Sequence, residues 1–353
     1  MEQKTSVIVG ISGGVDSAIA ALVLQQQGYD VRGVFMKNWS EDDFGGPCPW
    51  EEDQASAVAV AQHLGIPIET WNFEREYRDL VFTAMLEEYQ AGRTPNPDIL
   101  CNREIKFKLF FDRARESADF VATGHYARTK EGKLFKALDK SKDQSYFLAG
   151  ITSSALQHTI FPLGEIEKSE VREIAKKAGL PNWDRKDSVG ICFIGEKQMS
   201  AWLGKHLELK PGPITLVDGT IIGQHRGFPL YTIGQRHGFG RDLDQALITK
   251  TLGSVQSLFI KEKIVSANTI VVAPANEPEQ LTTKEFLVND MHWISHTCSF
   301  PWTGTAKFRY RQDDVPVTLL PEGQKFRVIC ATPQRAITPG QYAVFYDGET
   351  CLG

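Results

Sequence analysis

Two cysteines far apart in the chain, Cys101 and Cys192, and one carboxylate, Asp98, have the residue types and settings that sulfur transfer needs. Cys101 follows Thr94-Pro-Asn-Pro-Asp-Ile-Leu and precedes Asn-Arg-Glu-Ile-Lys-Phe-Lys108, which reads as a Pro-stiffened loop entering a helix with the thiol near its first turn. The positive end of the helix dipole, with Arg103 and Lys106 nearby, would lower that thiol's pKa and favour the nucleophilic thiolate. Asp98 is close enough in sequence to handle a proton. A lone cysteine is also commonly a small buried hydrophobe, and Cys101 taken singly fits that reading as well. Cys192 stands in Asp184-Arg-Lys-Asp-Ser-Val-Gly-Ile-Cys-Phe-Ile-Gly195, where charges and a glycine lead into a short apolar strand or turn. On its own that setting specifies little.

Gly10-Ile11-Ser12-Gly13-Gly14-Val15-Asp16-Ser17 supplies a second chemistry. Gly13 and Gly14 let backbone N–H groups converge on an anion at a helix N-terminus, and Ser12 and Ser17 add hydroxyl donors. Asp16 would repel phosphate unless a cation such as Mg²⁺ lay between them, so the octet predicts a magnesium–nucleotide complex. A Gly-Gly turn with a Ser or Asp helix cap is the plainer alternative. No Gly-Lys-Ser/Thr ending follows, so this is not a Walker A loop.

The elements around these residues alternate. Ser6 to Ile11, Val31 to Met36, Ile68 to Phe73 and Phe120 to Gly124 read as buried strands, with helices over Ser17 to Gln27, Ala55 to Leu64 and Phe107 to Glu116 between them. That alternation predicts an α/β domain with a doubly wound parallel sheet over residues 1–205. A small central domain over 206–270 follows, with Pro-Gly turns and basic-aromatic stretches. A C-terminal β-barrel over 271–353 is expected from strands near Thr269 to Val272, Lys307 to Tyr310, Val315 to Leu319, Phe326 to Cys330 and Ala343 to Tyr346.

The 353 residues carry a formal net charge of −5, so any nucleic-acid partner has to be held by a local basic surface. No basic leader with an apolar run and no apolar stretch of membrane-spanning length is present, which predicts a cytoplasmic protein with no membrane partner. The six cysteines lack close spacing, which favours thiols over a disulfide framework or an iron–sulfur cluster.

Ser12-Gly-Gly-Val-Asp-Ser17 resembles the pyrophosphate-binding loop of the ATP-pyrophosphatase superfamily. Together with Asn96-Pro-Asp98…Cys101 and Cys192, it is similar to the tRNA-specific 2-thiouridylase family. So are Gly33-Val-Phe-Met-Lys-Asn-Trp39, Ala122-Thr-Gly-His-Tyr126, Lys142-Asp-Gln-Ser-Tyr-Phe147, Tyr231-Thr-Ile-Gly-Gln-Arg-His-Gly238, Phe308-Arg-Tyr-Arg-Gln312 and Thr338-Pro-Gly-Gln341. The likeness implies an adenine nucleotide hydrolase-like catalytic fold, with Met36 and Gly124 contacting adenosine. It implies that ATP with Mg²⁺ adenylates O2 of the wobble uridine of a tRNA, and that Cys192 carries sulfur as a persulfide from a donor protein, a cysteine desulfurase or a relay protein. By the same likeness, Asp98 deprotonates that persulfide and Cys101 frees the sulfur, either leaving a Cys101–Cys192 disulfide or releasing hydrogen sulfide for direct attack. Asn96, Pro97 and Asp98 would hold the flipped uracil. His125, Lys142, Asp143, Gln144, Arg309, Tyr310 and Gln341 would touch tRNA, although Phe308-Arg-Tyr-Arg also reads as an alternating strand with a solvated face. The chain ends at Cys351-Leu-Gly353, where relatives commonly continue, so its last strand is expected to be abbreviated. Two rival functions fit the loop alone: an amidating enzyme of the superfamily, and a non-catalytic RNA-binding adaptor.

Overall fold

The computed structural model describes residues 4–40, 50–186, 199–253, 257–294 and 299–353. Cys192, with Cys48 and Cys298, lies outside the described residues.

Strands β1 (Ser6–Gly10), β2 (Asp30–Lys37), β3 (Ile68–Asn72), β4 (Phe120–Thr123) and β7 (Thr159–Ile160) form an all-parallel sheet of order β3-β2-β1-β4-β7. Strand side chains alternate between its faces. Val7, Val9 and Phe35 join Ile19 and Leu24 of α1 (Val15–Gln26) and Val60 of α2 (Trp50–Leu64) on one side. Ile8 and Val34 join Trp71, Phe110 and Trp202 on the other. A sheet apolar on both faces must be covered on both, which is why these strands read as continuous apolar runs. Each fully buried Val or Ile contributes about 1.5–3 kcal/mol.

The helix expected from Phe107 begins earlier. Pro97–Leu100, Cys101–Phe110 and Phe111–Arg115 follow one another without a break, the middle part wound wide as a π-helix that kinks at Phe107. Asn96 caps the start by accepting from Ile99 N at 3.4 Å, and Pro97 occupies the first helical position, where its missing N–H costs nothing.

The central sheet comprises β8 (Gly212–Thr215), β9 (Ile221–His225), β10 (Leu258–Ile264) and β11 (Thr269–Pro274), in the order β10-β11-β8-β9. The strand near Thr269, expected to open the barrel, therefore pairs inside the central sheet. The C-terminal sheet holds β12 (Thr282–Val288), β13 (Trp302–Lys307), β14 (Val315–Glu322), β15 (Lys325–Arg335), β16 (Val344–Asp347) and β17 (Thr350–Cys351). It continues into the N-terminal domain, because β17 pairs with β6 (Lys133–Phe135) of a hairpin whose other arm is β5 (Arg128–Lys130). Glu131 and Gly132 turn that hairpin at φ 53° and 72°, the double positive-φ geometry of a two-residue turn.

Candidate active site

Gly14 is the N-cap of α1, and no side chain caps the helix. Its first-turn N–H groups are therefore open toward the end of β1, the place where parallel sheets take anions. The two serines stiffen the loop from within: Ser12 N donates to Ser17 Oγ at 3.1 Å, and Ser17 Oγ donates to Gly14 O at 3.0 Å. From outside, Gly13 O accepts from Ser56 Oγ at 2.8 Å, Asn182 Nδ2 at 2.8 Å and Arg185 Nη1 at 3.2 Å. Gly13 has φ 83°, and a Cβ there would strike the main-chain oxygen of Asp53. Arg185 also pairs with Asp53, whose carboxyl is pushed up by burial despite that guanidinium. Ile11 is buried behind the loop, and Val15 anchors the helix start in the core.

Asp16 is held by protein groups. Lys168 Nζ approaches its two oxygens at 2.6 and 2.8 Å, and Tyr126 OH donates at 2.9 Å. The cation beside this carboxylate is thus a lysine 152 residues away, which the loop sequence could not disclose. Among the described residues no group of three His, Cys, Asp or Glu side chains could hold a metal. A magnesium ion carried by nucleotide phosphates needs only one or two carboxylates, which Asp16 can supply. Asn182 Oδ1 is buried with no hydrogen-bond partner beside the loop, leaving an acceptor for an incoming donor. Lys168, Tyr126, Asn182 and Arg185 are the site residues that sequence reasoning left without a role.

Gly124 backs directly onto this helix start: a Cβ there would sit 2.7 Å from Ser17 N and 2.8 Å from the carbonyl carbon of Asp16. Met36 leans over Gly10, its terminal methyl 3.0 Å from where a Cβ would be. Both expected adenosine contacts therefore lie at the C-terminal ends of the two strands that flank β1.

A hydrogen-bonded path joins the loop to the Cys101 helix. Tyr126, which touches Asp16, donates its N–H to Gln144 Oε1 at 3.0 Å; Gln144 O accepts from Phe147 N at 3.0 Å; Phe147 O accepts from Asn102 Nδ2 at 3.0 Å. Cys101 is 1% exposed, so its neighbourhood is the buried one that the plainer reading foresaw. Arg103 is paired with Glu104 at 2.8 Å, which shares the charge expected to bias the thiol. Asp98 is partly exposed in the first turn of the same helix.

Several residues expected at RNA are committed elsewhere. Asp143 is 5% exposed; it accepts from Ala137 N, Ser145 N and Ser145 Oγ and lies 3.6 Å from Lys307 Nζ of the barrel, so it locks two domains together and offers RNA no surface. Gln144 spends its side-chain oxygen on Tyr126. Gln341 Nε2 donates to Thr94 O at 2.8 Å and Pro95 O at 3.2 Å, so the barrel grips the loop carrying Asn96, Pro97 and Asp98. Phe308 to Arg311 is a turn and not a strand, with Arg311 at φ 62°. Tyr310 packs on Phe147 at 4.5 Å between ring centres, while Arg309 is exposed and Lys142 partly so.

His125 faces Phe107 and Phe161, with Nδ1 2.7 Å from Thr123 Oγ1. Burial first, and the Lys106 charge second, hold its imidazole well below the ordinary 6.5, so it is neutral at neutral pH and no phosphate cation. As pH falls through 6.5 the unfolded chain takes the proton first, so this ring's contribution is complete above 6.5 and drains away below it until the folded-state ring titrates. Relative to His125→Gln, the wild type should lose about 1.4 kcal/mol per pH unit in that window. Urea midpoints of both proteins from about pH 8 down to about pH 5 check this, and a constant difference would refute it.

Residues 5–196 match a family model described as tRNA methyl transferase HUP domain, residues 200–274 its PRC-barrel domain, and residues 283–353 an aminomethyltransferase beta-barrel domain. A Pseudomonas putida protein described as tRNA-specific 2-thiouridylase MnmA is 48% identical over 99% of this chain and 94% of its own length. A Lactococcus lactis protein of the same description is 48% identical with the same coverage. A solved 4-thiouridine synthetase–RNA complex with bound ATP gives a TM-score of 0.35 at 18% identity over 52% of this chain and 43% of that one, a likeness too slight to carry an inference.

Proposed function

Because this chain belongs to the tRNA-specific 2-thiouridylase family, and is thus a tRNA sulfurtransferase, we propose that its phosphate loop and its cysteines carry out the two halves of one replacement of oxygen by sulfur. The hydrogen-bonded path from Asp16 to Asn102, the neighbour of Cys101, supports that division most directly.

ATP is the activating substrate, and Ser12 to Ser17 would hold its phosphates, with Asp16 sharing a magnesium ion and Lys168 moving from carboxylate to phosphate. Magnesium when bound neutralises phosphate charge. Asn96, Pro97 and Asp98 receive the extruded uracil, whose O2 attacks the α-phosphorus and expels pyrophosphate. Carbon 2 then carries an AMP leaving group. A persulfide on Cys192, supplied by a donor protein and deprotonated by Asp98, attacks that carbon through its terminal sulfur, and AMP departs. The Cys101 thiolate next attacks the inner sulfur of Cys192, so the S–S bond to the base breaks, a Cys101–Cys192 disulfide forms and 2-thiouridine leaves. An external thiol must reduce that disulfide before the next turnover. Of the residues expected at RNA, Arg309 and Lys142 are cations placed to meet the RNA backbone.

Nucleoside mass spectrometry on tRNA treated with the protein, ATP and a persulfide donor tests the reading. The expected product is 2-thiouridine at the wobble position, with pyrophosphate. A methylated nucleoside, as the family-model description would suggest, or pyrophosphate with no thiolated base, would overturn it.

No helix among the described residues is long and apolar enough to cross a membrane.

A further inference from the structure

We propose that Arg236 of the central domain and Arg335 of the barrel form a phosphate clamp for the tRNA backbone, built around the ring of Phe259. Arg335 stands 4.2 Å and Arg236 6.0 Å from the centre of that one ring. Both side chains are exposed, and among the described residues neither has a carboxylate partner; Arg236 reaches only Ser257 Oγ, at 2.9 Å. Lys261, two residues beyond Phe259 on β10, donates to Gln280 at 2.7 Å. Two guanidiniums thus flank one aromatic ring on a chain whose net charge is −5. Bringing like charges from two domains to one spot gains nothing by itself, whereas a phosphate between planar guanidiniums meets two forks of donors.

The location selects RNA as the occupant. The stretch carrying Arg236 packs on the barrel, since a Cβ at Gly234 would lie 2.6 Å from that of Ala336, the neighbour of Arg335. Thr232 Oγ1 in the same stretch lies 3.5 Å from Thr94 Oγ1, just ahead of the Asn96 to Asp98 loop. Gln341, a few residues beyond Arg335, grips Thr94 and Pro95. The clamp therefore stands on the rim where all three domains meet the base-receiving loop, where the strand flanking an extruded nucleotide must run. It rests on tRNA being the substrate.

Equilibrium binding of unmodified tRNA as a function of salt, with R236Q, R335Q and the double variant, tests it. Each single change should raise Kd roughly three- to tenfold, and the double should flatten the slope of log K against log salt by about 1.5–2. In turnover the loss should fall on KM for tRNA and not on kcat, and the Lys variants should recover part of it. A folded double variant with wild-type Kd and salt slope would overturn the clamp, as would a raised KM for the sulfur donor with tRNA affinity unchanged. The two readings fail separately. If the wild type makes no thiolated nucleoside, the function falls; if it does and the variants bind tRNA equally well, only the clamp falls.

Discussion

Cys101→Ser should lower 2-thiouridine formation by about a thousandfold or more, while a single turnover of pyrophosphate release persists. A serine hydroxyl cannot cleave a disulfide, so the base, once attacked by the Cys192 persulfide, would stay joined to the protein through sulfur. A tRNA–protein adduct that survives denaturation and disappears with reductant is the expected signature. Were hydrogen sulfide the attacking species, the adduct would be absent and added sulfide would restore activity. Because Cys101 is 1% exposed, a hydroxyl there costs about 1–3 kcal/mol of burial, so Cys101→Ala and a thermal melt accompany the measurement. Wild-type thiolation by either variant would remove this cysteine from the chemistry.

Gly124→Ala should remove both halves of the reaction together, lowering pyrophosphate release and thiolation alike by about a hundredfold or more. Its new Cβ would stand 2.7 Å from Ser17 N and 2.8 Å from the carbonyl carbon of Asp16, and backbone atoms at a helix start have no rotamer by which to yield. The N-terminus of α1 would tilt and carry its open N–H groups away from the phosphates. Gly240→Ala is the matched control, since nothing lies within 4 Å of a Cβ there. Parallel loss of both readouts separates this defect from that of Cys101→Ser, which spares the first half. Unchanged pyrophosphate release from a folded Gly124→Ala protein would show that the close approach can relax without moving the loop.

The phosphate loop was legible because its information is local: Gly13, Gly14 and the two serines act within one turn, between a strand and a helix whose apolar periods are plain. The parallel sheet was legible for the same reason. Lys168, Asp143 and Gln341 were not, since each acts across the chain; Gln341 and Thr94 are 247 residues apart. Nothing local distinguishes a glutamine that reads a base from one that holds a backbone. Tyr310 misled through its alternating neighbours, because period-two patterning over four residues cannot reveal that the strand stops at Lys307 and that Arg311 takes a positive φ in the turn beyond it. The helix start was placed late because Pro95 and Pro97 suggested a loop, whereas Pro97 sits at the one helical position that tolerates it.

The pairing of Thr350 and Cys351 with Phe135 and Leu134 bears on how the protein is made. During synthesis the hairpin edge at β6 emerges early and waits through more than half of the chain before its neighbour exists. Until then its unpaired N–H and C=O groups are open to any passing strand, a hazard that ends only when β17 has been made and pairs there. Maturation of the enzyme therefore waits on β17: a nascent chain that has completed its nucleotide pocket still lacks both the partner of β6 and the Gln341 contact on Thr94.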